Sequence, residues 1–191
     1  YIMSPKDLNT LPFIDKIVEA GVRALKIEGR GRSPEYVKIV TESYHNALLA
    51  IEMGNFNQGY IVSANERLAS VFNRGFWDGY YLGRKLGEWS SRYGSSATKR
   101  KVYIGKGMNY FSNLGVAEFL IESHSLSVGD EIIITGPTTG VIEVKIQEIR
   151  VDLKNVNSTV KGDVCSIPVE SKVRRADKLY KIVDASEILA Q

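Results

Sequence analysis

The chain has 191 residues, 43% of them hydrophobic, with 25 Lys and Arg against 22 Asp and Glu for a net charge of +3. That apolar content excludes a disordered polymer and suits one large domain or two small ones, and the near balance of charge excludes nucleic-acid binding by bulk charge alone. The single cysteine, Cys165, excludes an intrachain disulfide and a thiolate metal cage, and the sequence holds no apolar run of about 18 residues that would mark a membrane span. A cytoplasmic protein with no metal of its own is expected.

The opening "YIMSPKDL" reads as the interior of a folded element, so the chain is expected to be the C-terminal part of a longer protein. Asn9 or Thr10 caps a helix through "LPFIDKIVEA", where Leu11, Ile14, Ile17 and Val18 share a face and Gly21 ends it. "RALKIEG" reads as a short strand. A second helix starts at Ser33-Pro34-Glu35, which supply cap, first-turn proline and first-turn acid. Val37, Val40, Tyr44, Ala47, Leu48 and Ile51 keep its helical period until Gly54. "ANERLASVFNR" is a third helix, and "GFWDGYYLGRKLGEW" an irregular packed segment.

"SSRYGSSATKRK" is polar, small and basic, and the pattern beyond it changes from helical to alternating. The expected division is therefore 1–94 for the α/β part with its linker and 95–191 for a small β domain. Six strand-like runs follow Lys101, and a closed antiparallel β-barrel is expected because closure removes unpaired edges. "GPTTG", Gly136 to Gly140, lies between two such runs and reads as a hairpin turn. Cys165 falls inside a run and reads as a small apolar residue.

At the end of an α/β-barrel strand, Glu28 could act as general base or bind a cation, and Arg30 and Arg32, just before a helix start, could hold a carboxylate or phosphate. The alternative is an ordinary turn in which Glu28 pairs with Arg30 and Ser33 only caps the helix. Arg74, Arg84 and Lys85 interleave with Phe76, Trp77, Tyr80 and Tyr81, a mixture that suits base stacking or simply core packing. Lys99, Arg100 and Lys101, and Lys172, Arg174, Arg175 and Lys178, are basic clusters that suit either nucleic acid or a solvated face.

"YIMSPKDL", "AGVRALKIEGRGRSPEYV" and "FNRGFWDGYYLG", followed by "GVAEFLIES", "LSVGDEIIITGPTTG" and "KVRRADKLYKI", resemble in order and spacing the C-terminal portion of peptidase family U32, the collagenase-like peptidases. The resemblance implies the last units of a TIM-like barrel followed by a β-barrel similar to domain 2 of the translation GTPases. It also implies that upstream residues of the same protein hold the rest of the active site. Relatives of this type are named for collagen degradation, yet several hydroxylate RNA, including prephenate-dependent formation of 5-hydroxyuridine in tRNA. Some carry an iron–sulfur cluster, and in many a cysteine follows the "DL" of "KDL"; here Asn9 stands in that position.

By the resemblance, Glu28, Gly29 and Arg30 of "KIEGR", Ser33, Pro34 and Tyr36 of "SPEY", and Arg74, Gly75 and Phe76 of "NRGF" border the site. Glu28 and Arg30 are the catalytic candidates, and Arg30, Arg32, Ser33, Tyr36 and Arg74 the substrate or anion-binding ones. Lys99, Arg100, Lys101, Arg174 and Arg175 are the nucleic-acid-binding candidates. Three functions stay open: part of a tRNA-modifying enzyme with tRNA or rRNA as partner, part of a genuine peptidase acting on a protein substrate, and a non-catalytic RNA- or protein-binding barrel.

Overall fold

The computed structural model describes residues 4–90 and 94–187; residues 1–3, at the head of "YIMSPKDL", and 91–93, inside the expected linker, lie outside the described residues. The chain divides into two compact units, Tyr1–Thr98 and Lys99–Gln191.

In the N-terminal unit, strand β1 (Asp7–Leu8) leads through a 3-10 turn (Leu11–Phe13) into helix α1 (Ile14–Glu19). The side chain of Asn9 accepts the Leu11 N–H at 3.0 Å, while Thr10 makes no side-chain cap. Helix α2 (Pro34–Glu52) begins at the expected Ser-Pro-Glu, with Ser33 at the cap position in an extended conformation but without a side-chain bond to the helix. Gly54, at a φ of +70°, closes it, since a left-handed residue there costs glycine little. The buried stripe of α2 is Ile39, Val40, Ser43, Ala47 and Ala50, so Val37 and Leu48 of the expected face are exposed.

Helix α3 (Gln58–Ala69) starts six residues before the expected "ANER", because the Asn57 side chain accepts the Tyr60 N–H and fixes the first turn there. Strand β2 (Phe76–Trp77) pairs in parallel with β1, Asp7 opposite Phe76 and Leu8 opposite Trp77. Leu11, Ile14, Val40, Ala47, Ala64 and Leu68 form the core that holds the three helices together.

The expected strand "RALKIEG" is not formed. A strand is stable only where a neighbour satisfies its backbone groups, and no described strand pairs with residues 22–29, which stay irregular and largely exposed. With one two-residue parallel pair as its only sheet among the described residues, this unit does not display the expected units of a TIM-like barrel.

Among its described residues, the C-terminal unit forms one antiparallel sheet of eight strands: β3 (Lys99–Phe111), β4 (Val116–Ile121), β5 (Glu131–Gly136), β6 (Gly140–Lys145), β7 (Ile149–Val151), β8 (Lys154–Val156), β9 (Val164–Pro168) and β10 (Lys178–Asp184). Their order is β6-β5-β10-β3-β4-β9-β7-β8. The expected closed six-stranded barrel is not formed: among the described residues no ladder joins the ends β6 and β8. "VIEVKIQEIRV" breaks after Lys145 into two strands, and Asp152 and Leu153, at φ of 49° and 63°, make the tight turn that adds β8.

The connection before β5 covers the far edge instead. Val128 N–H donates to the Asn157 carbonyl at 3.0 Å and Thr159 N–H to that of Leu126 at 2.8 Å. One core, with Ile104, Phe119, Ile121, Ile132, Ile134, Ile149, Ile167 and Leu179 all at most 1% exposed, draws on nearly every strand. The β5–β6 connection is the hairpin expected of "GPTTG".

Candidate functional site

Asp7 is the polar centre of the N-terminal unit. Its main chain is fixed in the β1–β2 pair, where its N–H donates to the Gly75 carbonyl at 2.8 Å. One carboxylate oxygen, Oδ1, accepts Nη2 of Arg32 at 2.6 Å; the other accepts the backbone N–H of Arg74 at 2.9 Å. Asp7 thus ties the loop after "KIEGR" to the loop before "FW".

The Arg32 guanidinium lies 4.9 Å from the ring centres of both Tyr36 and Phe72. Placed over two rings in this way, a cation gains from both ring faces. Its Nη1 is buried without an acceptor among the described residues. Burial pushes the Tyr36 hydroxyl above its ordinary pKa; Arg32 opposes the shift, while Asp7 and Glu28 add to it, so Tyr36 stays a neutral donor at physiological pH. Beside this group, Asn9 donates to Asn65 at 2.7 Å, and the Tyr44 hydroxyl accepts the Thr10 N–H at 3.0 Å.

The other candidates of this stretch stand apart from Asp7. Glu28 is exposed and accepts the backbone N–H of Arg30 at 2.8 Å, closing its own turn, and Arg32 N–H donates to the Gly29 carbonyl at 3.0 Å. The Arg30 side chain is exposed. Ser33 contributes its carbonyl, which accepts the Val37 N–H at 3.2 Å, and Arg74 contributes its main chain. Trp77 and Tyr80 pack edge to face at 5.2 Å, and Arg84 pairs with Asp78 at 2.7 Å and with Glu88, while Tyr80, Tyr81 and Lys85 are exposed.

In the C-terminal unit the basic candidates fall into two groups. Lys99 pairs with Glu131 at 2.7 Å, which holds that carboxyl below its usual range, and Arg100 donates to the Glu187 carbonyl. Lys101 lies 4.8 Å over the Tyr180 ring. Arg174 and Arg175 sit in the loop that enters β10, and that loop is built on Asp177. The buried Asp177 carboxylate accepts Thr139 Oγ1 at 2.6 Å and the Arg174 N–H at 2.7 Å, and the Asp177 carbonyl accepts the Gly107 N–H at 2.8 Å.

A Cβ on Gly136 would overlap that carboxylate, and one on Gly107 would come within 2.6 Å of the Arg174 carbonyl, so two glycines let the loop settle on the sheet. With Asp177 turned inward, Lys172, Arg174, Arg175 and Lys178 face solvent.

This chain by itself does not supply the several thiolates of an iron–sulfur cluster. Cys165 is the only cysteine of the sequence, and it is fully buried in β9, where desolvation pushes its thiol up to about 12. Among the described residues no three His, Cys, Asp or Glu side chains gather where they could hold a metal, and His45 and His124 are both exposed. No helix among them is long and apolar enough to cross a membrane.

Sequence reasoning did not single out Asp7, Phe72, Thr139 or Asp177. An aspartate in "KDL" or "RADK" carries no local mark of burial; its partners lie 25 and 67 residues away for Asp7 and 38 away for Thr139 with Asp177. The motif "SPEYV" did point to Tyr36, and the run "RGR" to Arg32.

Residues 1–91 match the model described as Peptidase family U32. The chain is 60% identical over 181 residues to a protein named collagenase from Porphyromonas gingivalis (strain ATCC BAA-308 / W83), an alignment covering 95% of this chain and 44% of that protein. It is 29% identical over 161 residues to tRNA hydroxylation protein P of Haemophilus influenzae, covering 84% of this chain and 33% of that protein. The chain thus spans less than half the length of either relative. The crystal structure of the C-terminal domain of a Geobacillus thermoleovorans U32 peptidase aligns with a TM-score of 0.40 and 16% identity, over 41% of this chain and 90% of that one.

Proposed function

Because the chain belongs to peptidase family U32, we propose that it serves RNA modification, with the Asp7–Arg32 group ordering the rim of a reaction site and the loop entering β10 holding the RNA. The observation that carries this reading is the loop itself. Four cations stand within seven residues, Lys172 to Lys178, and the one carboxylate among them is buried and spent on the loop's own backbone and Thr139. A loop so organised presents fixed positive charge to a polyanion without repaying an ordering cost on binding. The resemblance to the tRNA hydroxylation protein runs over 84% of this chain, more than the residues matched by the family model.

In this reading Tyr36 stays protonated and can donate, and Arg32 is held rigid by Asp7 and the two rings, an arrangement suited to orienting an anionic group such as a phosphate or the carboxylates of prephenate. Glu28 and Arg30, exposed and locally bonded, border the same loop and would act on substrate only from its rim.

A second reading, peptidase, is favoured by the 60% identity to the protein named collagenase. The two separate in one experiment: nucleoside mass spectrometry of tRNA and rRNA from a deletion strain, beside gelatin cleavage by the purified whole protein. Loss of a hydroxylated nucleoside with no gelatin cleavage supports RNA modification. Cleavage abolished by a point substitution, with nucleosides unchanged, supports the peptidase.

A further inference from the structure

The outer face of β3 and β10 carries a pattern that the loop alone does not explain. Lys178 and Lys106, Tyr180 and Tyr103, and Ile182 and Lys101 are cross-strand partners in three successive rows. The alternate residues Ile104, Leu179 and Val183 are buried in the core, so these three rows lie on the opposite face. Two lysines directly opposite one another repel and weaken a sheet, a cost that an anionic partner would remove. Glu122 meets only one of them, accepting Lys106 Nζ at 2.7 Å; Lys178 has no carboxylate partner among the described residues.

The next row is aromatic. Tyr103 and Tyr180 pack edge to face with centroids 5.7 Å apart, and the Tyr103 hydroxyl donates to Glu122 at 2.5 Å, which pins the ring while leaving it 36% exposed. A rigid, half-exposed ring beside fixed cations is the combination that takes a nucleobase with its flanking phosphates. The neighbouring acids are Glu131, engaged by Lys99, and Glu143 on β6, which lies beyond Ile133 and two strands from Tyr180.

We propose that this face is a stacking platform for single-stranded RNA, Tyr103 taking a base while Lys178, one row away, and Arg175 of the loop before it hold the adjoining phosphates. The inference deepens the RNA reading above, on which the choice of RNA over other polyanions rests. A duplex, with its bases already stacked on each other, offers no free base face to Tyr103.

The test is fluorescence anisotropy of labelled single-stranded oligouridylate with the full chain, titrated across salt concentrations, for the wild type, Y103L, Y103F and the double variant R175E/K178E. Circular dichroism melts establish that each variant is folded. Y103L is expected to weaken binding about tenfold with an unchanged salt slope, since stacking is not a charge contact. Y103F keeps the ring and stays within about twofold, and the double variant lowers the slope by about 1.4, two single-strand phosphate contacts.

Failure of the wild type to bind at low salt overturns the proposal. So does equal binding by folded Y103L, or equal displacement of the RNA by polyglutamate. If binding follows these expectations while the whole protein alters no nucleoside, the platform stands and RNA modification falls; a modified nucleoside unaffected by Y103L gives the converse.

Discussion

Asp7 and Arg32 meet at 2.6 Å across 25 residues, and the pair is mostly buried, with side-chain exposures of 18% and 14%. This contact converts the loop after "KIEGR" from a free turn into part of a fixed cluster with Arg74, Tyr36 and Phe72.

Arg32→Ala leaves the Asp7 carboxylate with one donor in a half-dry setting and removes the packing on Tyr36 and Phe72. It is expected to destabilise the N-terminal unit by about 2 kcal/mol, less than for a fully buried pair because some solvent reaches it. Both tryptophans, Trp77 and Trp89, belong to that unit, so denaturant unfolding followed by tryptophan fluorescence reads the change directly. Equal stability of wild type and variant would show that the pair is only a surface contact.

Gly136→Ala forces a methyl group into the space of the Asp177 carboxylate and so dismantles the loop that presents Arg174 and Arg175. A loss of about 2 to 3 kcal/mol is expected, from overpacking and broken hydrogen bonds together. Thr139→Val removes one bond to the same carboxylate and the exposed one that Thr139 Oγ1 accepts from Arg174 Nη1 at 3.1 Å, and costs about 1 kcal/mol. Thermal melts followed by β-sheet circular dichroism rank the two; the reverse order would refute the Asp177-centred account of the loop.

Tyr103 is expected to titrate late. Its hydrogen bond to Glu122 is the main cause, with burial second, and together they push the hydroxyl up to about 12. The folded protein therefore holds this proton more tightly than the unfolded chain. The stability so gained is therefore complete below about pH 10 and lost as pH rises from there through about 12. Absorbance titration near 295 nm is expected to show a phase that moves down toward the ordinary tyrosine range in Glu122→Gln. An unchanged titration in that variant would remove the hydrogen bond as the cause.

Cys165, buried among the isoleucines of the C-terminal core with its thiol raised to about 12, is expected to react with a disulfide reagent at neutral pH only after denaturation. Rapid modification of the native chain would contradict its placement in β9.

Legibility in the sequence followed the range of the interactions involved. The Ser-Pro-Glu start of α2 and the hairpin at "GPTTG" depend on neighbours in the chain and could be read directly. So could most of the strands, through alternation of Val, Ile and Tyr with polar residues. "RALKIEG" alternates equally well, but a strand exists only with a partner, and no described strand supplies one. β8 was missed because Asp152 and Leu153 make a left-handed turn without the Asn-Gly pair that usually announces it. Arg32 and Tyr36 were named from local motifs and lie together; Glu28 and Arg30, from the same motif, close a turn instead. Asp7 acts on partners 25 and 67 residues away and Asp177 reaches Thr139 over 38, distances that no local pattern encodes.

The proposed role of the cationic loop entering β10 is to hold RNA for its modification. It is tested most directly by complementing a deletion strain with the whole protein carrying either the wild-type sequence or Arg174→Glu with Arg175→Glu, and measuring hydroxylated nucleosides in tRNA and rRNA by mass spectrometry. The wild type is expected to restore the lost nucleoside while the charge-reversed protein, present at equal level, restores about a tenth or less of it. A nucleoside profile that is the same in the deletion strain and its parent, or full restoration by the charge-reversed protein, would contradict it.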